Sequence, residues 1–481
     1  MLTEKNIRWI YVLSILFILG NCVSFYFEFY FFPLIPAALL IILLALFALE
    51  ALMLFVVFAT PFAINLQHLE GGLGISLPTE PIIFGIMIIY ILKQLHQNSI
   101  SKKVLRHPIT IAIFAYLLWL FFTSITSTMP IVSFKFLIAR LWYIIVFYFL
   151  AIRLFKKYDN INLFSWLYIS SFSIVILYTL YQHYLLDFAE RPANYVMSPF
   201  YNDHTIYGAM IAMFFPFLLF FLTNHNYTIR VRFAAFVIFI IFTTGLIFSY
   251  TRAAWLSLGV AIIAYIVLQL RIKFLVLFII AMGIALGAYN YRAEIKMNLE
   301  KNRQDASQDF SKHIKSMSNI STDASNLERF NRWNAAFRMF EQRPVLGWGP
   351  GTYAFVYAPF QLSHEKTIIS TNSGDAGNAH SEYLGPLSEA GVLGFLTFIT
   401  IIVFVLATGF RLYYSIINKQ MQLTVLVILL GFITYIVHGV LNDFLDTDKA
   451  AVPFWGFIAM LVAIDVYHKN KIDDKNKIDI G

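Results

Sequence analysis

The chain has one cysteine, Cys22, in 481 residues, so no disulfide can form within it, and a lone thiol in an apolar run does not report its redox compartment. Charge is also scarce: Asp, Glu, Lys and Arg together make up 13%, against about 25% in a soluble domain. That scarcity excludes an ordinary soluble fold. No small-residue cleavage pattern follows the first apolar run, so Lys5, Arg8 and that run read as a signal anchor that stays in place. No solenoid period and no duplication of the two halves is visible.

What is present is apolar. The composition is 59% hydrophobic and 17% aromatic with a mean hydropathy of +0.71, which defines a polytopic, all-α membrane protein. Apolar runs fall near 9–27, 31–62, 80–92, 108–126, 133–152, 161–186, 204–222, 233–249, 253–270, 274–290, 383–410, 421–441 and 450–467. As one helix the second run would be about 48 Å long, against a hydrocarbon core of about 30 Å, so it splits near Glu50. The short basic loops at 93–106, 153–157, 230–232, 271–273 and 411–419, with the tail from 468, then share the cytoplasmic side. The expectation is about 14 spans, within 12 to 14, and both termini inside. The net charge of +8 comes mainly from these orienting loops and gives no reason to expect nucleic acid as a partner.

The outer side receives 66–79, 187–204, 249–252, 291–378 and 442–449. In the longest, a polar stretch at 298–325 reads as a mobile linker. Ser325-Asn326-Leu327-Glu328 then has capping-box spacing, and Leu327, Phe330, Trp333, Phe337 and Phe340 recur at helical intervals before Pro344. An amphipathic helix with an aromatic face lying on the outer leaflet is predicted. The chain thus divides into an N-terminal transmembrane bundle (1–290) and a periplasmic, outer-side loop (291–381) with an interfacial helix at about 326–342. C-terminal transmembrane helices (382–468) and a cytoplasmic tail (469–481) follow.

His380 falls where the long loop meets a span, within or just before a first helical turn, where the helix dipole disfavours the imidazolium. It reads either as a proton acceptor or as an interfacial histidine bonded to loop backbone. Arg252, in a short outer turn, suits a phosphate through its two parallel donors or snorkels to lipid headgroups. Arg329 and Arg332 lie three residues apart on the predicted helix and can clamp a diphosphate, while Glu328 and Arg332 have the spacing of a surface ion pair. Gly347-Trp348-Gly349-Pro350-Gly351 lacks the strand and helix of a nucleotide loop and reads as a turn. Asp443, Asp446 and Asp448 have no calcium-loop spacing and read as a solvated acidic loop.

Together these segments resemble the O-antigen ligase family. The resemblance is carried by Ser198 to His204, Phe248 to Trp255, Arg329 to Trp333, Arg343 to Tyr353, Asn378 to Leu384, Ser388 to Gly394 and Val437 to Asp443, over roughly 195–460. One departure stands out: the family usually has His-Asn where this chain has His380-Ser381.

The resemblance implies a helical fold of the GT-C type in a bacterial inner membrane. It further implies transfer of a glycan from undecaprenyl diphosphate to the hydroxyl of a glycolipid or glycan acceptor on the outer face, without cofactor or metal. In that scheme His380 is catalytic, Arg252, Arg329 and Arg332 bind the diphosphate, and Asn378, Glu389, His438 and Asp203 support them. A polymerase of lipid-linked repeats would use the same constellation. A flippase would instead need ionisable groups at mid-span, where Arg140 and Lys135 are the few candidates. A metal-dependent transferase would need the Asp443 to Asp448 carboxylates.

Overall fold

A computed structural model describes residues 4–28, 32–69, 73–97, 100–272, 290, 324–367, 370 and 377–469. The span expected at 274–290 and nearly all of the polar stretch at 298–325 lie outside the described residues. Among the described residues, ten helices are long and apolar enough to cross a membrane.

The helices run α1 (Glu4–Tyr26), α2 (Ile35–Phe47), α3 (Leu49–Ala59), α4 (Thr79–Gln97), α5 (Lys102–Leu105) and α6 (Pro108–Ile125). Next come α7 (Pro130–Ile144), a π turn (Ile145–Leu150), α8 (Ala151–Leu154), α9 (Asp159–Tyr184), α10 (His204–Thr223), α11 (Ile229–Phe248) and α12 (Arg252–Gln269). After the long loop follow α13 (Ala324–Gln342), α14 (Tyr353–Val356), α15 (Leu384–Ser415), α16 (Lys419–His438) and α17 (Asp448–Ala463).

The 31–62 run does divide. Ala48 leaves helical geometry at φ −139 and ψ 55, ending α2 and starting α3. Glu50, in the first turn of α3, pairs with Arg153 at 3.0 Å. One feature is not all-α: β1 (Ile64–Leu69) and β2 (Leu73–Leu77) form an antiparallel hairpin with Ile64 opposite Leu77 and Leu66 opposite Ile75. Its signal is visible in retrospect, because two short apolar-alternating runs flank Gly71-Gly72.

The centre of the bundle is α17, which is buried on every face. A helix apolar all round can be satisfied only inside other helices. Pro453 interrupts its hydrogen-bond ladder by removing the N–H that would reach the carbonyl four residues back. That carbonyl belongs to Lys449, and the Tyr168 hydroxyl donates to it at 2.8 Å. A proline in the most buried helix is therefore matched by a tyrosine on α9.

The cross-links sort the loops onto two ends. At one end Arg411 and His107 both bind Asp465, at 2.6 and 3.2 Å, and His468 binds the Phe155 carbonyl at 2.8 Å. At the other, Thr251 donates to the His204 carbonyl at 2.7 Å, Arg329 to the Leu441 carbonyl at 3.2 Å, and Thr128 N–H to the Trp348 carbonyl at 2.9 Å. Lys449 there donates to the Ala63 carbonyl at 2.7 Å. Positions 204, 251, 329, 348 and 449, each from a loop that the charge pattern grouped on one side, thus lie at the same end of the bundle.

Candidate active site

The site is built where α10, α12 and α15 begin, α16 ends and α13 lies across them. His380 precedes α15 by four residues in the left-handed region, at φ 47. Its backbone N–H donates to Asn378 Oδ1 at 3.2 Å, so the Asn378 side chain closes the tight turn that presents the ring. Ser381 is buried, and its hydroxyl accepts from Tyr383 N and Leu384 N at 3.3 and 3.4 Å. The hydroxyl thus closes the turn that leads into α15.

Arg329 and Arg332 project from α13 with different surroundings. Arg329 is half-buried and its Nε donates to the Leu441 carbonyl. Arg332 is 4% exposed, its Nε meets Glu328 Oε1 at 2.8 Å, and one terminal nitrogen donates to the Asn378 carbonyl at 3.3 Å. The pair expected at the surface is buried instead, because α13 turns its polar face inward onto α15. Its aromatic residues Phe330 and Phe337 are exposed. The Ser325 side chain of the expected capping box lies outside the described residues. The helix starts at Ala324, and the Glu328 carboxylate takes the hydroxyls of Thr367, at 2.9 Å, and Ser370. Burial pushes the Glu328 carboxyl up, but those two hydroxyls and Arg332 outweigh it and hold its pKa below the ordinary value.

Across the site, Asp203 caps α10, its Oδ1 accepting from Thr205 N and Ile206 N at 2.7 and 3.1 Å. Arg252 is half-buried at the first position of α12, directly after the Thr251 that binds the His204 carbonyl. His438, the last residue of α16, is buried with Nε2 at 3.1 Å from Asn442 Nδ2. Its ring meets the backbone of Ala253 and feels the charges of Arg329 and Asp203. Hence His380 feels the charges of Arg332, Arg329, Asp203 and Glu328, and Arg329 and Asp203 also act on His438.

The imidazole of His380 is pushed down to about 4, first by burial and then by the positive charges of Arg332 and Arg329, with Asp203 and Glu328 opposing. Burial and the two arginines thus disfavour the imidazolium and extend the neutral form well below pH 6.5. The helix terminus alone would contribute only a fraction of that shift.

Two buried carboxylates brace this end. Glu382 Oε1 accepts from Tyr435 Oη at 2.7 Å, Phe444 N at 2.7 Å and Leu445 N at 2.9 Å, which folds the loop between α16 and α17 back into the bundle. Glu389 Oε1 accepts from Tyr353 N at 2.8 Å, and its carbonyl from Gly349 N at 2.7 Å. The glycine-rich segment is indeed a turn. Gly347, Gly349 and Gly351 have positive φ, and a Cβ on Gly347 would lie 2.3 Å from the Glu389 backbone. Arg343 stacks 4.3 Å over Trp348, whose indole N–H donates to the Met339 carbonyl at 2.9 Å. This turn locks α13 to the break in α15 at Gly391, where the Val392 N–H donates to the Pro344 carbonyl at 2.9 Å.

The acidic loop is not simply solvated. Arg140 of α7 donates to the Leu445 carbonyl at 2.6 Å and to Asp446 at 2.7 Å, so this charge within a span serves to hold an inserted loop. Asp448 accepts from Thr79 at 2.5 Å. Asp443 is pushed well above the usual carboxylate range by burial and by the neighbouring Glu382, Asp446 and Glu389. Among the described residues no three His, Cys, Asp or Glu side chains are grouped to hold a metal ion. Sequence reading missed Glu328, Glu382 and Arg140 as organising residues. Only the four-residue interval from Glu328 to Arg332 carried a usable signal.

No curated protein matches the chain. The family described as O-antigen ligase matches residues 237–399, a narrower segment than the motif resemblance. It includes Arg252, Arg329, Arg332, Asn378, His380 and Glu389, and leaves Asp203 and His438 outside. Over that segment the chain carries a domain of the O-antigen ligase family, which supports a glycosyltransferase-type role in polysaccharide formation for this multi-pass membrane protein.

Proposed function

We propose that the protein transfers a glycan from undecaprenyl diphosphate to an acceptor hydroxyl at the outer face of a bacterial inner membrane, as an O-antigen ligase does, without metal or other cofactor. One observation carries this reading: a neutral imidazole and arginines from distant parts of the chain gather at the end of the bundle where the candidate outer loops meet.

In the reaction the acceptor oxygen bonds to the anomeric carbon, the bond from that carbon to the phosphate oxygen breaks, and His380 takes the hydroxyl proton. Arg252 and Arg329 stabilise the negative charge growing on the departing diphosphate, a role in which preorganised cations can replace a metal ion. Arg332, already bound to Glu328 and Asn378, contributes its field and its hold on the His380 loop. A base with a pKa of about 4 is weak at neutral pH. A bound diphosphate offsets the arginine charges and raises the basicity of His380 when donor is present. Asn378 shapes the His380 turn, Asp203 and His438 add polar groups at the starts and ends of the neighbouring helices, and Glu389 anchors the glycine-rich turn. A polymerase with the same site would differ in taking a second lipid-linked repeat as acceptor.

The test is reconstitution in liposomes with a lipid-diphosphate-linked glycan and candidate acceptors. His380→Ala and Arg252→Ala should insert normally and lose transfer by about 100-fold or more. Near-normal turnover by either removes that residue from the mechanism. Full activity in EDTA is expected, and loss of activity restored by a divalent cation would refute metal independence.

A further inference from the structure

We infer that the buried Glu328–Arg332 pair is the clamp that sets the position of the His380 loop, which makes Glu328 a positioning residue for glycan transfer. The inference rests on the proposed function and adds to it a residue outside the histidine and the phosphate-binding arginines.

The clamp joins four pieces of chain. Glu328 and Arg332 are 3% and 4% exposed and meet at 2.8 Å. On the Glu328 side, Thr367, at 2.9 Å, and Ser370 donate to Oε2 and are held against α13. On the Arg332 side, the guanidinium lies 4.9 Å over the Tyr357 ring and donates to the Asn378 carbonyl at 3.3 Å. Asn378 in turn holds the His380 N–H through its side chain, so one residue separates the cation from the turn that aims the imidazole. The Arg332 carbonyl accepts from Tyr353 Oη at 2.7 Å, and Tyr353 N–H reaches Glu389 on α15.

Gly377 gives independent support from sterics. A Cβ there would lie 1.9 Å from the Arg332 terminal nitrogen and 2.6 Å from Tyr357 Cζ, so the loop approaches the guanidinium as closely as only glycine permits. A buried ion pair is often no more stable than apolar residues of the same volume. Its contribution here is orientation, since both charges are joined to loops that carry the site. With Nε on Glu328 and a terminal nitrogen on Asn378, Arg332 is bound within the protein, whereas a phosphate ligand has to turn its fork toward the donor.

The test is steady-state kinetics of the full-length protein in liposomes, varying the lipid-diphosphate-linked glycan. The variants are Glu328→Gln, Arg332→Gln, the double variant, and His380→Ala as control. The clamp predicts kcat lower by about 10- to 100-fold in each single variant, the scale of a misplaced catalytic group, with donor KM within about twofold of wild type. The double variant replaces the ion pair with neutral amides, avoids an uncompensated buried charge, and should be no worse than the poorer single variant. Wild-type kcat in the double variant overturns the clamp. So does a rise of about tenfold or more in donor KM for Arg332→Gln, which would make Arg332 a diphosphate ligand. Activity retained by His380→Ala refutes the reading of the site itself, a separate failure.

Discussion

Glu382→Ala should loosen the whole outer end of the bundle. One carboxylate oxygen, Oε1, accepts from Tyr435 Oη, Phe444 N and Leu445 N, all within 2.9 Å and all buried. Alanine leaves three buried donors without that acceptor, at about 1–3 kcal/mol each, so the cost is about 3–9 kcal/mol before relaxation. Water entering the space left by the side chain brings the expected value toward the low end. A melting shift of about 2–4 °C per kcal/mol applies to 150–250 residues and shrinks for longer chains, so a fall of at least about 3 °C is expected. Size-exclusion melting in detergent measures it. Glu382→Gln keeps a carbonyl oxygen in the same place and should retain most of the stability. Transfer should fall in the alanine variant as well, because the loop it holds supplies the Leu441 carbonyl that fixes Arg329. Two results would refute this account: an alanine variant that melts with the wild type, or a glutamine variant as unstable as alanine, which would make charge rather than acceptor geometry decisive.

In the proposed mechanism the neutral form of His380 is the active one, so activity should persist as pH falls below 6.5 and be lost only near its free-enzyme pKa of about 4. The acid limb of kcat/KM should lie there, and that of kcat higher, because bound diphosphate opposes the arginines. Arg332→Gln removes a charge that resists protonation and should move the kcat/KM limb upward. A limb near 6.5 that this substitution does not move would show that the arginine field is absent. Gly391→Ala places a side chain at φ 70, with Cβ 2.1 Å from the Val345 carbonyl oxygen. A backbone at φ 70 and ψ −170 is essentially confined to glycine, at about 1–3 kcal/mol for another residue, so lower folded yield and melting temperature are expected, and wild-type behaviour would remove the turn as a lock.

The class of the protein was legible because it depends on sums. A composition so poor in charge and so rich in apolar runs has no soluble solution, and short basic loops fix which ends lie together. The split near Glu50 followed from length alone, since one helix over 31–62 overshoots a bilayer. Individual candidates were legible where they broke a pattern: His380 at the border of loop and span, Arg252 in an outer turn otherwise free of charge, and glycines crowded into one turn. What spacing left open was how each polar group is used. Ser325 to Glu328 has the form of a cap, yet Glu328 serves Arg332, Thr367 and Ser370, because the face α13 buries is chosen by the helix beneath it. Arg140 read as a charge within a span, and it holds a loop that dips to meet it.

Composition and charge pattern specify a helical membrane protein and the grouping of its loops, and spacing picks out a short roster of candidate polar residues. Packing alone made Arg332 a buried partner of Glu328, set the Ser381 hydroxyl in the turn before α15, and placed His380 where burial and two arginines lower its proton affinity. The reason is physical: periodicity and composition report each residue's relation to its own helix, whereas protonation and hydrogen-bond partners depend on neighbours brought in from far along the chain.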